Sequence, residues 1–163
     1  MALYYVKTER MFPVKPIVHA VPADSGAVRG MLYALRGRYD FLNVIPIGRS
    51  VLGRDIYGIL LGAGAEKALY AAAFHGQEWM TSLILLKLCE DICEALAGDG
   101  KIADMDFAGA LSGRCLIMVP QVNPDGVDIA IHSASAAGPY AEMVARLGGN
   151  RFGVWQANAR GVD

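Results

Sequence analysis

The chain has 163 residues, 54% of them hydrophobic and 19% charged, with a formal net charge of −1. That length fits one domain burying most of its surface, and the near-neutral balance gives neither a nucleic acid nor an anionic membrane an electrostatic handle. A charged share below the roughly 25% of ordinary soluble domains suits strands buried on both faces, or part of a larger fold.

Residues 1–22 carry Pro13, Pro16 and Pro22 without a clear period and read as an irregular amino-terminal arm; residues 23–163 read as one unit. The opening Met1–Lys7 lacks the basic-then-apolar layout of a signal peptide. No apolar run approaches the ~20 residues of a membrane helix, so a soluble, cytoplasmic protein is expected. Asp24 or Ser25 caps a helix running to about Tyr39, with Val28, Met31, Leu32 and Leu35 on its apolar face. Phe41 to Gly48 reads as a strand, Ser50 to Arg54 as a turn around Gly53, and Ile56 to Leu61 as a second strand closed by Gly62-Ala63-Gly64-Ala65. Leu69 to Phe74 is a third strand, so uniformly apolar that neither face should be wet.

Glu78 to about Ala97 is the strongest helical pattern, with Met80, Leu83, Ile84, Leu88, Ile92 and Leu96 at helical spacing before Gly98-Asp99-Gly100 ends it. A loop leads to Gly113, and Arg114 to Val119 is a fourth strand. Beyond Pro120 the chain reads as loop, apart from a short helical stretch from Pro139 to Leu147. Strand, long helix, strand is a crossover unit, so part of the sheet should be parallel. Cys89, Cys93 and Cys115 read as reduced, buried thiols: the count is odd, and the first two lie one turn apart in an apolar helix.

The chemistry concentrates at Phe74-His75-Gly76-Gln77-Glu78-Trp79. A histidine where a strand ends and a glutamate on the next helix's first turn present an imidazole and a carboxylate to one point. Zinc takes such groups at ~2.0–2.2 Å, with a position left open for water. Gly76 is read as permitting the sharp turn between them. The blander reading makes Glu78 a first-turn carboxylate favoured by the helix dipole and His75 a loop side chain. Asn123-Pro124-Asp125-Gly126 is turn chemistry after a strand. His19, in the arm, and His132 are not read as metal ligands.

His75-Gly76-Gln77-Glu78-Trp79, Asn123-Pro124-Asp125-Gly126 and Asn158-Ala159-Arg160-Gly161-Val162-Asp163, in that order, resemble the carboxypeptidase A-like zinc metallopeptidase family. Gly48-Arg49-Ser50-Val51-Leu52-Gly53-Arg54-Asp55-Ile56 resembles the turn these enzymes place before the zinc strand. The last motif looks most like bacterial members that cleave γ-D-glutamyl–diamino acid links in cell-wall peptides. The resemblance implies a three-layer α/β fold, its sheet mixed and mostly parallel with helices on both faces, incomplete relative to the whole carboxypeptidase fold.

It further implies that His75 and Glu78 ligate one Zn2+ and that Asp163 accepts a hydrogen bond from the free ring nitrogen of His75. Arg160 falls near the family's arginine that stabilises the tetrahedral oxyanion; an exposed basic side chain is the other reading. Gln77 replaces an arginine that lines the substrate groove in many relatives. The family's third zinc ligand and its glutamate base come later than its Gly-Val-Asp. The expectation is therefore an amino-terminal portion of a peptide hydrolase, without its third ligand and inactive by itself. The alternative is a metal-free binding or assembly module, homo-oligomeric through an unpaired sheet edge.

Overall fold

The computed structural model describes residues 15–102 and 104–163. Residues 1–14 of the expected arm lie outside that description, and residues 15–22 run without regular structure. Helix α1 (Ser25–Arg38) starts where Asp24 accepts the Ala27 amide, and Arg36 and Arg38 complement the dipole at its far end. Its buried residues are Val28, Met31, Leu32 and Leu35. Strands β1 (Asn43–Arg49) and β2 (Asp55–Leu61) form an antiparallel hairpin whose turn closes through Ser50 N–H to Arg54 O at 2.8 Å, with Gly53 at φ 80°.

Strand β3 (Glu66–Ala71) leads through a 3₁₀ turn, Gly76–Glu78, into α2 (Trp79–Ala97). The two-residue strands β4 (Lys101–Ile102) and β5 (Met105–Asp106) and the one-turn α3 (Phe107–Ala110) precede β6 (Arg114–Val119). Helices α4 (Pro124–His132) and α5 (Ala141–Gly148) follow, with 3₁₀ turns at Ala134–Tyr140 and Phe152–Val154. The sheet order is β1-β2-β6-β3. The crossover does pair β3 with β6 in parallel, from Glu66 opposite Arg114 to Ala71 opposite Val119. Both other pairings are antiparallel, because β2 arrives from a hairpin; the sheet is mixed, with a smaller parallel share than expected.

Helices α1 and α2 pack on one face, where Leu32, Leu35, Leu86 and Ile92 meet Ile59, Leu61 and Met118. A second cluster of Ile129, Val144, Trp155 and Ala159 joins α4 and α5. On the sheet's opposite face Ile45 and Leu69 are exposed and Leu60 and Ile117 half-buried, so a second helical layer is not formed there among the described residues. All six residues of β3 are exposed, contrary to the expectation of a dry strand. The strand lies at the sheet edge, where its apolar composition has no partner among the described residues.

Three further expectations need correction. Met80, Ile84 and Leu88 face outward, while Leu85, Leu86, Cys89, Ile92 and Cys93 are buried. An almost wholly apolar helix fits several faces by periodicity; here Glu90 selects one. Its fully buried carboxylate accepts the Ile17 amide at 2.6 Å and the Val18 amide at 3.3 Å, and lies 3.5 Å from Arg38 Nη1. The region after Pro120 is not loop but α4, and the loop before Gly113 holds β4, β5 and α3. The three cysteines are free and buried, as expected. Among the described residues, no helix is long and apolar enough to cross a membrane.

Truncating the two sides of α2 tests its orientation. Leu86→Ala should lower unfolding free energy by about 2–5 kcal/mol, whereas Ile84→Ala, outward-facing, should stay within about 0.5 kcal/mol. Urea unfolding followed by far-UV circular dichroism reads both, and the reverse order would place the helix the other way round.

Candidate metal centre

The backbone beyond β3 is held from three sides before it reaches His75. Ala72 N–H donates to Val119 O, and Val122 N–H and Asn123 N–H return bonds to Ala72 O and Ala73 O. Ala73 takes φ 51°, a left-handed conformation rare for a residue with a Cβ, and its N–H donates to Thr81 Oγ1 at 2.9 Å. The same hydroxyl donates to Glu78 O at 2.7 Å. One side chain on α2 thus steadies both the strand exit and the first helical turn.

Gly76 is required for a different reason than the sequence suggested. Its φ is not left-handed; instead, a Cβ there would overlap the carbonyl oxygen of Gly126 on α4. Its N–H donates to Gln156 O at 3.0 Å. Asn123 completes the clamp. Its Nδ2 donates to Phe74 O at 3.1 Å and Gln156 O at 3.3 Å, while its Oδ1 accepts the Gly126 amide at 2.9 Å and caps α4. The Asn-Pro-Asp-Gly motif is therefore a helix start with proline at the first helical position. The Asn-Pro pair carried that signal.

On this platform the imidazole and the carboxylate converge. His75 Nδ1 lies 2.7 Å from Glu78 Oε1, and the His75 amide donates to Glu78 Oε2 at 3.2 Å. The other ring nitrogen, Nε2, lies 3.6 Å from Asp163 Oδ1, an electrostatic contact longer than a hydrogen bond. Both members of the pair are half-buried. The hydrogen bond to Glu78, helped by the charges of Glu78 and Asp163, raises the His75 pKa above 6.5 despite its partial desolvation. The bond from His75 holds the Glu78 carboxyl below its ordinary range. The surrounding cleft has a volume near 440 Å³ and is lined by Phe74, Val122, Asn123, Gln156 and Asp163, with Arg49 on its wall.

Arg160 is not among the lining side chains. Its Nε donates to Tyr140 Oη at 3.2 Å, and its guanidinium lies 6.0 Å over the Tyr140 ring. His132 pairs with Asp24 at 2.8 Å, and His19 Nδ1 lies 2.8 Å from the Ile17 carbonyl, so neither joins the cleft. Among the described residues, no group of three or more His, Cys, Asp or Glu side chains converges as a metal site. No local pattern marks the parts played by Thr81 and Gln156; the sequence marks Arg49 only within a family-like turn, and it presents Asn123 as a turn former rather than as a clamp and helix cap.

Residues 28–161 match the sequence profile of the zinc carboxypeptidase family. The gamma-D-glutamyl-L-diamino acid endopeptidase 1 of Lysinibacillus sphaericus is 35% identical over 131 residues, covering 79% of this chain and 33% of the relative. The Bacillus subtilis (strain 168) protein YqgT, itself uncharacterized, is 33% identical over 144 residues, covering 86% and 38%. The chain thus spans between about a third and two-fifths of these relatives. Among solved structures, carboxypeptidase A from Helicoverpa armigera superposes with a TM-score of 0.57 at 18% identity, over 83% of this chain and 28% of that one. Thrombin activatable fibrinolysis inhibitor gives 0.60 at 16% identity, over 83% and 29%. These two likenesses establish the fold.

The electrostatics predict a measurable titration. The His75 ring should protonate with a midpoint above 6.5, and Glu78→Gln should bring it back toward ~6.5. Whatever the ion pair adds to stability is lost as pH rises through the raised His75 value, and again as pH falls through the lowered Glu78 value. Proton NMR of the ring across pH 4 to 9 checks it; an unshifted midpoint in the unsubstituted chain would contradict the pairing.

Proposed function

The chain belongs to the zinc carboxypeptidase family, and on that premise we propose that His75 and Glu78 are two ligands of a Zn2+ serving peptide-bond hydrolysis. The γ-D-glutamyl–diamino acid link of cell-wall peptides is the proposed substrate class, supported by the 35% identity to the L. sphaericus endopeptidase. The observation carrying the proposal is the approach of Nδ1 and Oε1 to 2.7 Å while Nε2 turns to Asp163. The donors fit zinc: a neutral imidazole nitrogen and a carboxylate oxygen are its ordinary ligands. When bound, the ion supplies a polarised scissile carbonyl and a bound water of lowered pKa.

The chain's own residues prepare that site. Asp163 beside Nε2 favours the tautomer with its proton on Nε2, which leaves the Nδ1 lone pair free for the metal. Thr81 and Asn123 fix the backbone on either side of the imidazole. Arg160, proposed as the oxyanion donor, must leave Tyr140 to reach the cleft. Catalytic zinc sites ordinarily use three protein ligands, and the described residues bring two. We therefore expect these residues alone to hold zinc weakly and to show no peptidase turnover.

Calorimetric titration tests the metal reading. One equivalent of Zn2+ should bind, His75→Ala should abolish binding, and Asp163→Ala should weaken it by about 10–100-fold. No heat from the unsubstituted chain at millimolar zinc would remove the proposal.

The exposed β3 gives one observation in favour of a second reading, assembly of copies through the sheet edge. Leu69 and Tyr70 are its exposed large apolar side chains. Sedimentation velocity should then show a dimer that Leu69→Lys dissociates; a monomer in both would end that reading.

A further inference from the structure

The His75 cleft, whose lining includes Ser50 and Asp125, is braced by a charge cluster that reaches beyond it to Arg54 and Asp128. Arg54, at the end of the β1–β2 turn, spends its whole guanidinium on this task. Nη1 donates to Asp125 Oδ1 at 2.6 Å, Nε to Asp128 Oδ2 at 2.9 Å, and Nη2 to Ala136 O at 3.3 Å. Asp125 and Asp128 are both buried and stand three residues apart on one face of α4. Ser50 Oγ and the Leu52 amide also donate to Asp125, at 2.8 and 2.9 Å. Ser25 donates its amide and its hydroxyl to Asp128, each at 2.7 Å.

The cluster sets where the amino-terminal turn of α4 sits, and that turn carries both groups pressing on the metal-site backbone. Asn123 holds Phe74 and Gln156, and the Gly126 carbonyl fills the space a Gly76 side chain would need. We infer that Arg54 is a positioning residue for the His75–Glu78 pair, acting through Asp125 and Asp128 on α4 and through Asn123 and Gly126 on the strand exit. Neither the guanidinium nor Asp128 lines the cleft. Removing Arg54 leaves two buried carboxylates with only neutral donors and no cation, which favours displacement of the start of α4. A lysine in its place restores charge but not the three-way planar fork.

The inference rests on the metal reading for its affinity arm and on geometry alone for its exchange arm. Three variants, Arg54→Lys, Asp128→Asn and Leu86→Ala, are compared at a temperature where each is folded by circular dichroism. In the metal-free chain, amide hydrogen exchange at Gly76 and Asn123 should accelerate about tenfold in Arg54→Lys, beyond any change in global stability. In Asp128→Asn the acceleration should be smaller but in the same direction. Zinc affinity should fall about tenfold in Arg54→Lys, while Leu86→Ala, destabilised through the core, should keep it. Exchange at Gly76 that merely follows global stability in both cluster variants would overturn the inference, as would an Arg54→Lys chain whose local exchange matches that of the unsubstituted one. Should Arg54→Lys fail to fold, Asp128→Asn gives the same reading. A chain that binds no zinc yet shows the local exchange effect removes the metal proposal and leaves the role of Arg54 standing.

Discussion

Two glycines in contact set the position of everything chemical in this chain. Gly76 and Gly126 meet where the strand exit crosses the start of α4, and a side chain on Gly76 would occupy the space of the Gly126 carbonyl. A Cβ on Gly126 would likewise overlap the Asn123 amide and the Ala157 carbonyl. The closeness lets Asn123 reach two carbonyls on separate segments, Phe74 and Gln156, and so join three stretches distant in sequence. The strained φ of Ala73 is tolerable because the surroundings over-determine it: its amide is held by Thr81 and its carbonyl by Asn123. Strain at the residue two before the imidazole is the cost of aiming that side chain out of the sheet.

Once aimed, the imidazole and carboxylate hold each other. One hydrogen bond joins His75 Nδ1 and Glu78 Oε1, raising one pKa while lowering the other, and the proposed metal would need the same two atoms. Metal and proton therefore compete for the same lone pairs, as they do at any site built from imidazole and carboxylate. Asp163 on the far nitrogen works with either occupant, because it stabilises positive charge on the ring and favours the proton on Nε2.

Much of this was legible in the sequence, and the failures share a cause. Helix α1 and strand β6 were read with nearly their observed bounds: Asp24 caps one, and Arg114 to Val119 forms a bounded apolar run for the other. His75 and Glu78 were legible because spacing at a strand–helix junction is local geometry. The buried face of α2 was not, since Glu90 chooses it by bonding to residues 17 and 18, more than 70 positions away. Gly76 was identified with the wrong reason attached, because a steric clash with Gly126 is invisible without the fold. Asn123-Pro124-Asp125-Gly126 carries the residues of a turn, yet asparagine before proline suits a helix start equally well. The role of Arg54, which stands in one of the family-like stretches, is hidden for the same reason as that of Glu90: its partners lie on α4 and in the 3₁₀ turn after it, more than 70 positions away.

The apolar excess in the composition also finds an address. Ile45, Ile47 and Leu69 on the sheet, with Met80 and Ile84 on α2, are exposed large side chains that a domain of this size would ordinarily bury. The sheet residues among them lie away from the face that α1 and α2 cover. The chain spans between about a third and two-fifths of its bacterial relatives, so in a protein of their length the open face has material available to cover it. The His75 cleft shows the same one-sidedness. Thr81 and Asn123 hold the backbone around His75 and Glu78, the two proposed metal donors, and no group of three or more such side chains converges there among the described residues. Energetically the two facts belong together: a rigid, prepaired half-site loses little entropy when a further donor is brought to it, because most of the ordering is already done by Arg54, Asn123 and Thr81.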